Sequence, residues 1–438
     1  MRDGTDCDDS EPFVNPGQDE ICNDHRDNDC DGTANECGLP LTLYSWAAPG
    51  ILDVPAVGGG HLGVAGLGEA NGDSFGDLAV AAGGTAYILL GGFGAGEDVV
   101  TQATSTIEGT LQVAGGFDLD DDDRGDAVGL GTEVLWVLYG GAGIMSTTMP
   151  DRSFEVGGVA VSGAQPDEAL AGGDVDGDAL ADVVVGASGL GSVSVLRSPL
   201  PKGGAVESLA DSVYTAAVSD GLGRSVSVAH DIDGDGLGDL VLGAPGISTV
   251  YVIPGDGTGI APADAAAGAA LQGQSGDRTG ATTGAADLDG DGYDDVVVGA
   301  PDAGDGTVYA WFGPVPEGAE LVDSHVVIAS EDVGAGFGDA HRVSAGDLTA
   351  DGLADLAVGA PLRDRTVADE GTTFIFVAPL SGSYGSGDAD SYLLGDAPES
   401  GVGATVDVVG DVSNDGFDDL ATGLVLQGQV YLMHGEGL

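Results

Sequence analysis

The sequence predicts an all-β fold: a seven-bladed β-propeller of four-stranded antiparallel blades, preceded by a small Cys/Asp-rich segment. Three observations carry this. A nine-residue Asp/Gly-rich loop recurs seven times at a mean spacing of 57 residues. Each copy runs into a short apolar stretch, usually closed by Gly-Ala, and a second β-like stretch follows. All four cysteines fall in the first 38 residues, which divides the chain into a head, 1–38, and a repeat region, 39–438.

The loops are EANGDSFGD from Glu69, DLDDDDRGD from Asp118, DVDGDALAD from Asp174, DIDGDGLGD from Asp231, DLDGDGYDD from Asp287, DLTADGLAD from Asp347 and DVSNDGFDD from Asp411. Seven units of the mean length need 399 residues, which fills 40–438. The runs after the loops, such as DLVLGAPG and DVVVGAPD, read as short strands buried on both faces. A third strand follows in TAYILLGG, STVYVIPGD and GTVYAWFGP, and a more polar outer one in ATSTIEG, SVYTAAV, HVVIAS and SYLLG. With the stretch that leads into each loop, such as GRSVSVAH, each unit holds about four strands, the content of a propeller blade. A stacked solenoid is the rival, but neither end shows an atypical capping repeat. The last unit stops soon after GQVYLMHG, without an outer strand. The β-rich stretch 40–57, PLTLYSWAAPGILDVPAV, is expected to supply it and close the ring.

Charge and composition narrow the function. Only 11 Lys and Arg stand against 73 Asp and Glu, a formal net charge of −62, so a phosphate backbone is repelled and nucleic acid is excluded as a partner. Disorder is excluded because 42% of residues are hydrophobic, in recurrent short runs. The 80 glycines follow no G-X-Y period, which excludes collagen. No apolar window reaches the length of a membrane span, and the N-terminus lacks the basic and apolar regions of a signal peptide. The expected location is extracellular or at the cell surface, with the export signal outside this chain and the chain part of a longer polypeptide.

The loop chemistry points to a cation. Counted from Asp231, positions one, three, five and nine are Asp231, Asp233, Asp235 and Asp239, with glycines at four and six that permit positive φ. Four carboxylates so close repel unless a hard cation sits among them, and Ca²⁺ takes about six to eight oxygens at roughly 2.3–2.6 Å. Mg²⁺ retains more water and suits an all-protein cage less well. Position seven is expected to give its backbone carbonyl and turn its side chain inward. An EF-hand requires Glu at position twelve and a helix, whereas position twelve here is Leu242 in an apolar run. The loop of Asp287, Asp289, Asp291 and Asp295 matches the Asp231 loop in full. That of Asp174, Asp176, Asp178 and Asp182 has Ala179 at position six, and that of Asp118, Asp120, Asp122 and Asp126 has aspartates at four and six. Thr349 and Ser413 weaken the loops of Asp347, Asp351 and Asp355, and of Asp411, Asp415 and Asp419. The first loop, with Glu69, Asn71, Asp73 and Asp77, is the least regular.

A DxDGDGxxD loop followed by an apolar strand and Gly-Ala-Pro, repeated seven times, resembles the FG-GAP repeats of the integrin α-subunit propeller. Leu222-Gly223, Phe337-Gly338 and Val402-Gly403 stand where the Phe-Gly pair belongs, about nine residues before the loop. The resemblance implies Ca²⁺ at several loops on one face, held by positions one, three, five, seven and nine, and partner binding on the opposite face. The head, with DCDD at 6–9, NPG at 15–17 and DNDCDG at 27–32, is similar to the MopE-like metal-binding motif of bacterial surface proteins. Cys7, Cys22, Cys30 and Cys37 allow three disulfide pairings, among which the sequence does not choose. Zinc is the rival use of these cysteines, but no C-x-x-C pair is present and the only nearby histidine is His25.

Other signals read as structure. Arg124-Gly125-Asp126 spells an adhesive tripeptide, but Asp126 is needed at position nine of its loop. His230 and His341 have no nucleophile partner at a recognisable motif, and no phosphate-binding loop is present. The chain is therefore read as a non-enzymatic, calcium-binding extracellular or cell-surface adhesion module with a protein or glycan ligand. A carbohydrate-active or accessory glycan-binding domain of a larger secreted protein, and a structural spacer, are the alternatives.

Overall fold

The computed structural model describes residues 43–44, 50–54, 62–91, 95–131, 134–141, 150–156, 170–316, 319–339, 342–364, 368–395, 397–424 and 427–435. The head and its four cysteines lie outside the described residues.

Seven sheets make seven blades. Blade 4 shows the pattern: inner strand Val226–Ala229, second strand Asp239–Ala244, third Thr249–Ile253 and outer Ala269–Gln272, each antiparallel to the next. The second strand is buried at all six positions because it is flanked by sheet neighbours and covered on both faces. Its alternate side chains serve different neighbours. Leu240, Leu242 and Ala244 pack with blade 3, and Val241 packs with blade 5. The core is thus seven apolar layers, one between each pair of adjacent blades, and no single blade has an interior of its own.

The ring closes through both chain ends. Blade 7 takes Thr405–Val408, Leu420–Leu424 and Gln429–Met433 from the end of the chain and Gly50–Asp53 from its start. Gly50–Asp53 pairs antiparallel with Gln429–Met433, with Leu52 opposite Val430. Leu52 is fully buried in the layer shared with blade 1.

Four strands per blade is not the whole architecture. Five blades carry a fifth, parallel strand on the outer edge: Gly204–Ala205, Gly259–Pro262, Gly382–Gly385, Leu43–Tyr44 and Ala95–Asp98. Each comes from the chain segment leading to the next blade's outer strand. It covers an edge whose N–H and C=O groups would otherwise be open to pairing.

The Gly-Ala-Pro and Phe-Gly pairs explain each other. A Cβ on Gly243 would lie 2.2 Å from the carbonyl oxygen of Gly280 in the next blade, and one on Gly359 would lie 2.2 Å from that of Gly403. The Gly280 N–H in turn donates to the Gly299 carbonyl at 2.9 Å. Adjacent blades therefore touch backbone to backbone, which only glycine permits. The inner strands surround a central cavity of about 360 Å³.

Candidate metal centre

All seven acidic loops join an inner strand to a second strand, so the meander places them on one face. Their backbones are alike whatever the residue. Position four is left-handed at Gly72, Asp121, Gly177, Gly234, Gly290, Ala350 and Asn414. Position six is left-handed at Ser74, Asp123, Ala179, Gly236, Gly292, Gly352 and Gly416. The non-glycines accept a conformation that costs an L-residue about 1–2 kcal/mol, held by the hydrogen bonds around them.

Each carboxylate position has its own task. Position one wraps the loop: Asp231 accepts from the N–H groups of Gly234 at 2.6 Å and Gly236 at 3.0 Å, and Asp287 from those of Gly290 at 2.7 Å and Gly292 at 3.0 Å. Asp118 accepts four such bonds, which outweigh the effect of burial and bring its carboxyl below the usual range. Position five accepts from the N–H of position seven, as Asp235 does from Leu237 at 2.9 Å and Asp291 from Tyr293 at 2.9 Å. The other loops repeat this through Asp73, Asp122, Asp178, Asp351 and Asp415.

Position nine anchors loop to blade. Asp77, Asp126, Asp182, Asp239, Asp295, Asp355 and Asp419 are all fully buried. Asp239 accepts from the Ile232 N–H at 2.8 Å with one oxygen and from the Gly255 N–H, beyond the third strand, at 3.0 Å with the other. Burial raises these seven carboxyls to between about 6 and about 7, against the lowering effect of those N–H groups.

Position three is the least committed to the backbone. Burial, then the charges of neighbouring loop carboxylates, raises Asp120 and Asp233. Asp176 Oδ1 is buried and makes no hydrogen bond.

Four loops bring three carboxylates together with oxygens within 4.8 Å of one another: Asp118, Asp120 and Asp122; Asp174, Asp176 and Asp182; Asp231, Asp233 and Asp239; Asp287, Asp289 and Asp291. Among the described residues no such group forms at the loops of Glu69, Asp347 or Asp411. Dense, all-oxygen, carboxylate-rich donor sets fit a hard divalent cation, which would relieve the mutual repulsion and use the unpaired Asp176 oxygen.

Position seven departs from expectation. In four loops its side chain does not turn inward but reaches across to the preceding blade's loop. A Cβ on Gly234 would meet Tyr293 at 2.8 Å, one on Gly177 Leu237 at 2.6 Å, one on Gly290 Leu353 at 2.7 Å and one on Gly72 Arg124 at 3.0 Å. A bulky residue at position seven in all seven copies is the sequence signal for this contact. Position eight adds a link no side chain reveals. Its N–H donates to the position-one carbonyl of the preceding loop in every blade, from Gly125 to Glu69 at 3.1 Å round to Gly76 to Asp411 at 2.9 Å. The same packing disposes of the adhesive tripeptide: Asp126 is fully buried and a Cβ on Gly125 would overlap the Leu67 carbonyl.

Parts of the chain are similar to known repeats. The FG-GAP-like repeat model matches residues 231–298, and the FG-GAP repeat model matches 340–376. These matched stretches, in blades 4, 5 and 6, are similar to FG-GAP repeats. A metal-binding motif model of the MopE type matches 6–36, outside the described residues. Similar proteins include integrin alpha-4 of Xenopus laevis, 38% identical over 109 residues, 24% of this chain and 10% of that protein. Integrin alpha-3 of Mus musculus is 35% identical over 25% of this chain and 10% of its own length. Human phosphatidylinositol-glycan-specific phospholipase D is 33% identical over 150 residues, 30% of this chain and 18% of the enzyme. The matched stretches thus span a tenth to a fifth of these relatives. The crystal structure of BBS1N in complex with ARL6DN superposes with a TM-score of 0.51 over 88% of this chain and 97% of that one at 11% identity, which shows the fold alone.

Proposed function

We propose that the chain is a non-enzymatic, extracellular binding module whose acidic loops hold several Ca²⁺ ions and whose opposite face takes a protein ligand. The observation that carries this reading is the division of labour between the two faces. The acidic loops occupy one. Of the seven exposed large hydrophobic residues among those described, six lie on or beside connections of the other: Val134, Leu190, Ile247 and Leu362 at second-to-third strand turns, Val218 and Val333 between blades.

Five of them, all but Val134, form two patches. The Val218–Asp220 turn sits against the Pro245–Ile247 turn, and a Cβ on Gly191, beside Leu190, would meet the Ala216 and Ala217 carbonyls. The Leu362 N–H donates to the Ala335 carbonyl at 3.0 Å, which brings Leu362 near the segment of Val333. Clustered apolar groups on a chain this acidic favour a protein contact. Glycan binding would use exposed aromatic faces, and none of the exposed large hydrophobics among the described residues is aromatic. The relationship to integrin α-chains supports the same reading.

The test is a binding screen against extracellular proteins and a glycan array in calcium, with a Leu190→Ser, Val218→Ser, Ile247→Ser triple variant beside the parent. Protein binding lost in the triple variant, at an unchanged melting temperature, supports the proposal. Glycan binding that survives the triple variant overturns it.

A further inference from the structure

The third loop differs from the fourth and fifth in carrying its own cation. Arg197 follows the third strand of blade 3, Ser192–Leu196, and its Nη1 lies 3.4 Å from Asp176 Oδ2. The guanidinium is held from a second side, since Nη2 donates to the Gly257 carbonyl at 2.9 Å. The Arg197 backbone N–H is itself fixed by Asp211 at 3.0 Å. Both charged side chains are largely enclosed, 18% exposed for Arg197 and 21% for Asp176, so water screens the pair poorly. Among the described residues no Lys or Arg forms an ion pair with a carboxylate of the loops at Asp231 or Asp287. Arg124 approaches Asp122 in the second loop only at 3.9 Å, and its guanidinium lies over Gly72 of the first loop.

Two cations therefore compete for Asp176. An ion taken up by Asp174, Asp176 and Asp182 shares one carboxylate with a fixed positive charge, and either tolerates the repulsion or displaces the arginine. Without the ion, Arg197 neutralises one of four crowded aspartates and lowers the repulsion that the fourth and fifth loops bear in full. We propose that Arg197 is a tethered counter-ion of the third loop, which sets that loop's affinity for a divalent cation below that of the fourth and fifth and steadies the loop when no ion is bound. This rests on the metal reading above and adds an order of filling to it.

The test uses the full chain and calcium alone, by titration calorimetry at fixed ionic strength after treatment with chelator. Arg197→Met keeps the apolar stem and removes the charge, while Arg197→Gln keeps a donor near the Gly257 carbonyl. In both, one site gains about tenfold or more in calcium affinity. Asp174→Asn in the same background removes that gain, and both arginine variants melt lower than the parent in chelator. Site affinities unchanged or weakened in the arginine variants, with the parent still binding calcium, overturn the counter-ion and leave the metal reading intact. A parent that binds no calcium overturns both. If one variant fails to fold, the other decides.

Discussion

The backbone N–H of Gly76 donates to the carbonyl of Asp411 at 2.9 Å, joining the first acidic loop of the chain to the last. It is the seam in a ring of seven such bonds, each running from position eight of one loop to position one of the loop before it. The loops are therefore a continuous collar on one face, and whatever orders one loop bears directly on its neighbour.

The seam is the place to test closure. Leu52 comes from the start of the chain and fills the layer between blades 7 and 1. Leu52→Ala should lower stability by about 2–5 kcal/mol, the cost of a large-to-small change in a packed core. Urea denaturation measures it, and an unchanged midpoint would show that Gly50–Asp53 contributes nothing to the ring.

The glycine contact between blades makes a sharper steric prediction. Gly243→Ala drives a methyl to 2.2 Å from the Gly280 oxygen, where only backbone can give way. A loss of about 1–3 kcal/mol or more is expected. Gly84→Ala, where a Cβ meets nothing within 4 Å, isolates the cost of a positive φ from the cost of a clash. The two variants should differ in denaturation midpoint, with Gly243→Ala the worse.

Relief of backbone strain should stabilise the chain at a place no packing argument would select. Ala179 holds φ at 73° at position six of the third loop, where the fourth and fifth loops have glycine. Ala179→Gly is expected to gain up to about 1 kcal/mol in thermal or urea unfolding. A loss of stability would contradict the reading of this position as strained.

Asp407 adds to the pH dependence that the seven raised position-nine carboxyls also carry. It lies on the inner strand of blade 7, lines the central cavity and accepts from Ser344 Oγ of blade 6 at 3.2 Å. Burial raises its carboxyl from 3.8 to about 7, against the pull of Ser344 and the Gly66 N–H of blade 1. A raised folded value means the native state holds the proton more tightly than the unfolded chain does. Its contribution is full below about pH 4, declines as pH rises towards about 7, and is gone above that, a loss on the order of 3–4 kcal/mol. Asp407→Asn should make that part of the stability profile less steep, measured in chelator between pH 4 and pH 8, with the position-nine carboxyls carrying the slope that remains. An identical profile in the variant would show that Asp407 does not carry the slope.

The blades were legible because their signals are repetitive. Asp239–Ala244 and its counterparts are apolar runs set off by Asp and Gly, and 57-residue spacing with about four strands per unit leaves few folds to choose among. The fifth strands were not legible. Gly259–Pro262 and Gly382–Gly385 share no pattern, and their register is imposed by the edge of the preceding blade. Within the site, the aspartates could be found from the sequence, but their separate tasks could not. Nothing in DIDGDGLGD reveals that Asp239 spends both oxygens on backbone N–H groups or that Leu237 covers Gly177. Arg197 escaped for a related reason, since it lies 21 positions from Asp176 and only the blade's meander brings the two together.

If the collar of loops is a set of cation sites, bound ions hold the ring together. Thermal melting in chelator and in excess calcium measures this, for the parent and for the Asp233→Asn, Asp289→Asn double variant. Each site filled at about 100 times its dissociation constant adds about 2.7 kcal/mol to native stability. The parent should therefore melt well above its chelated form, and the double variant should lose much of that gain while melting in chelator at least as high as the parent. A parent with the same melting temperature in chelator and in calcium would show that the loops hold no stabilising ion.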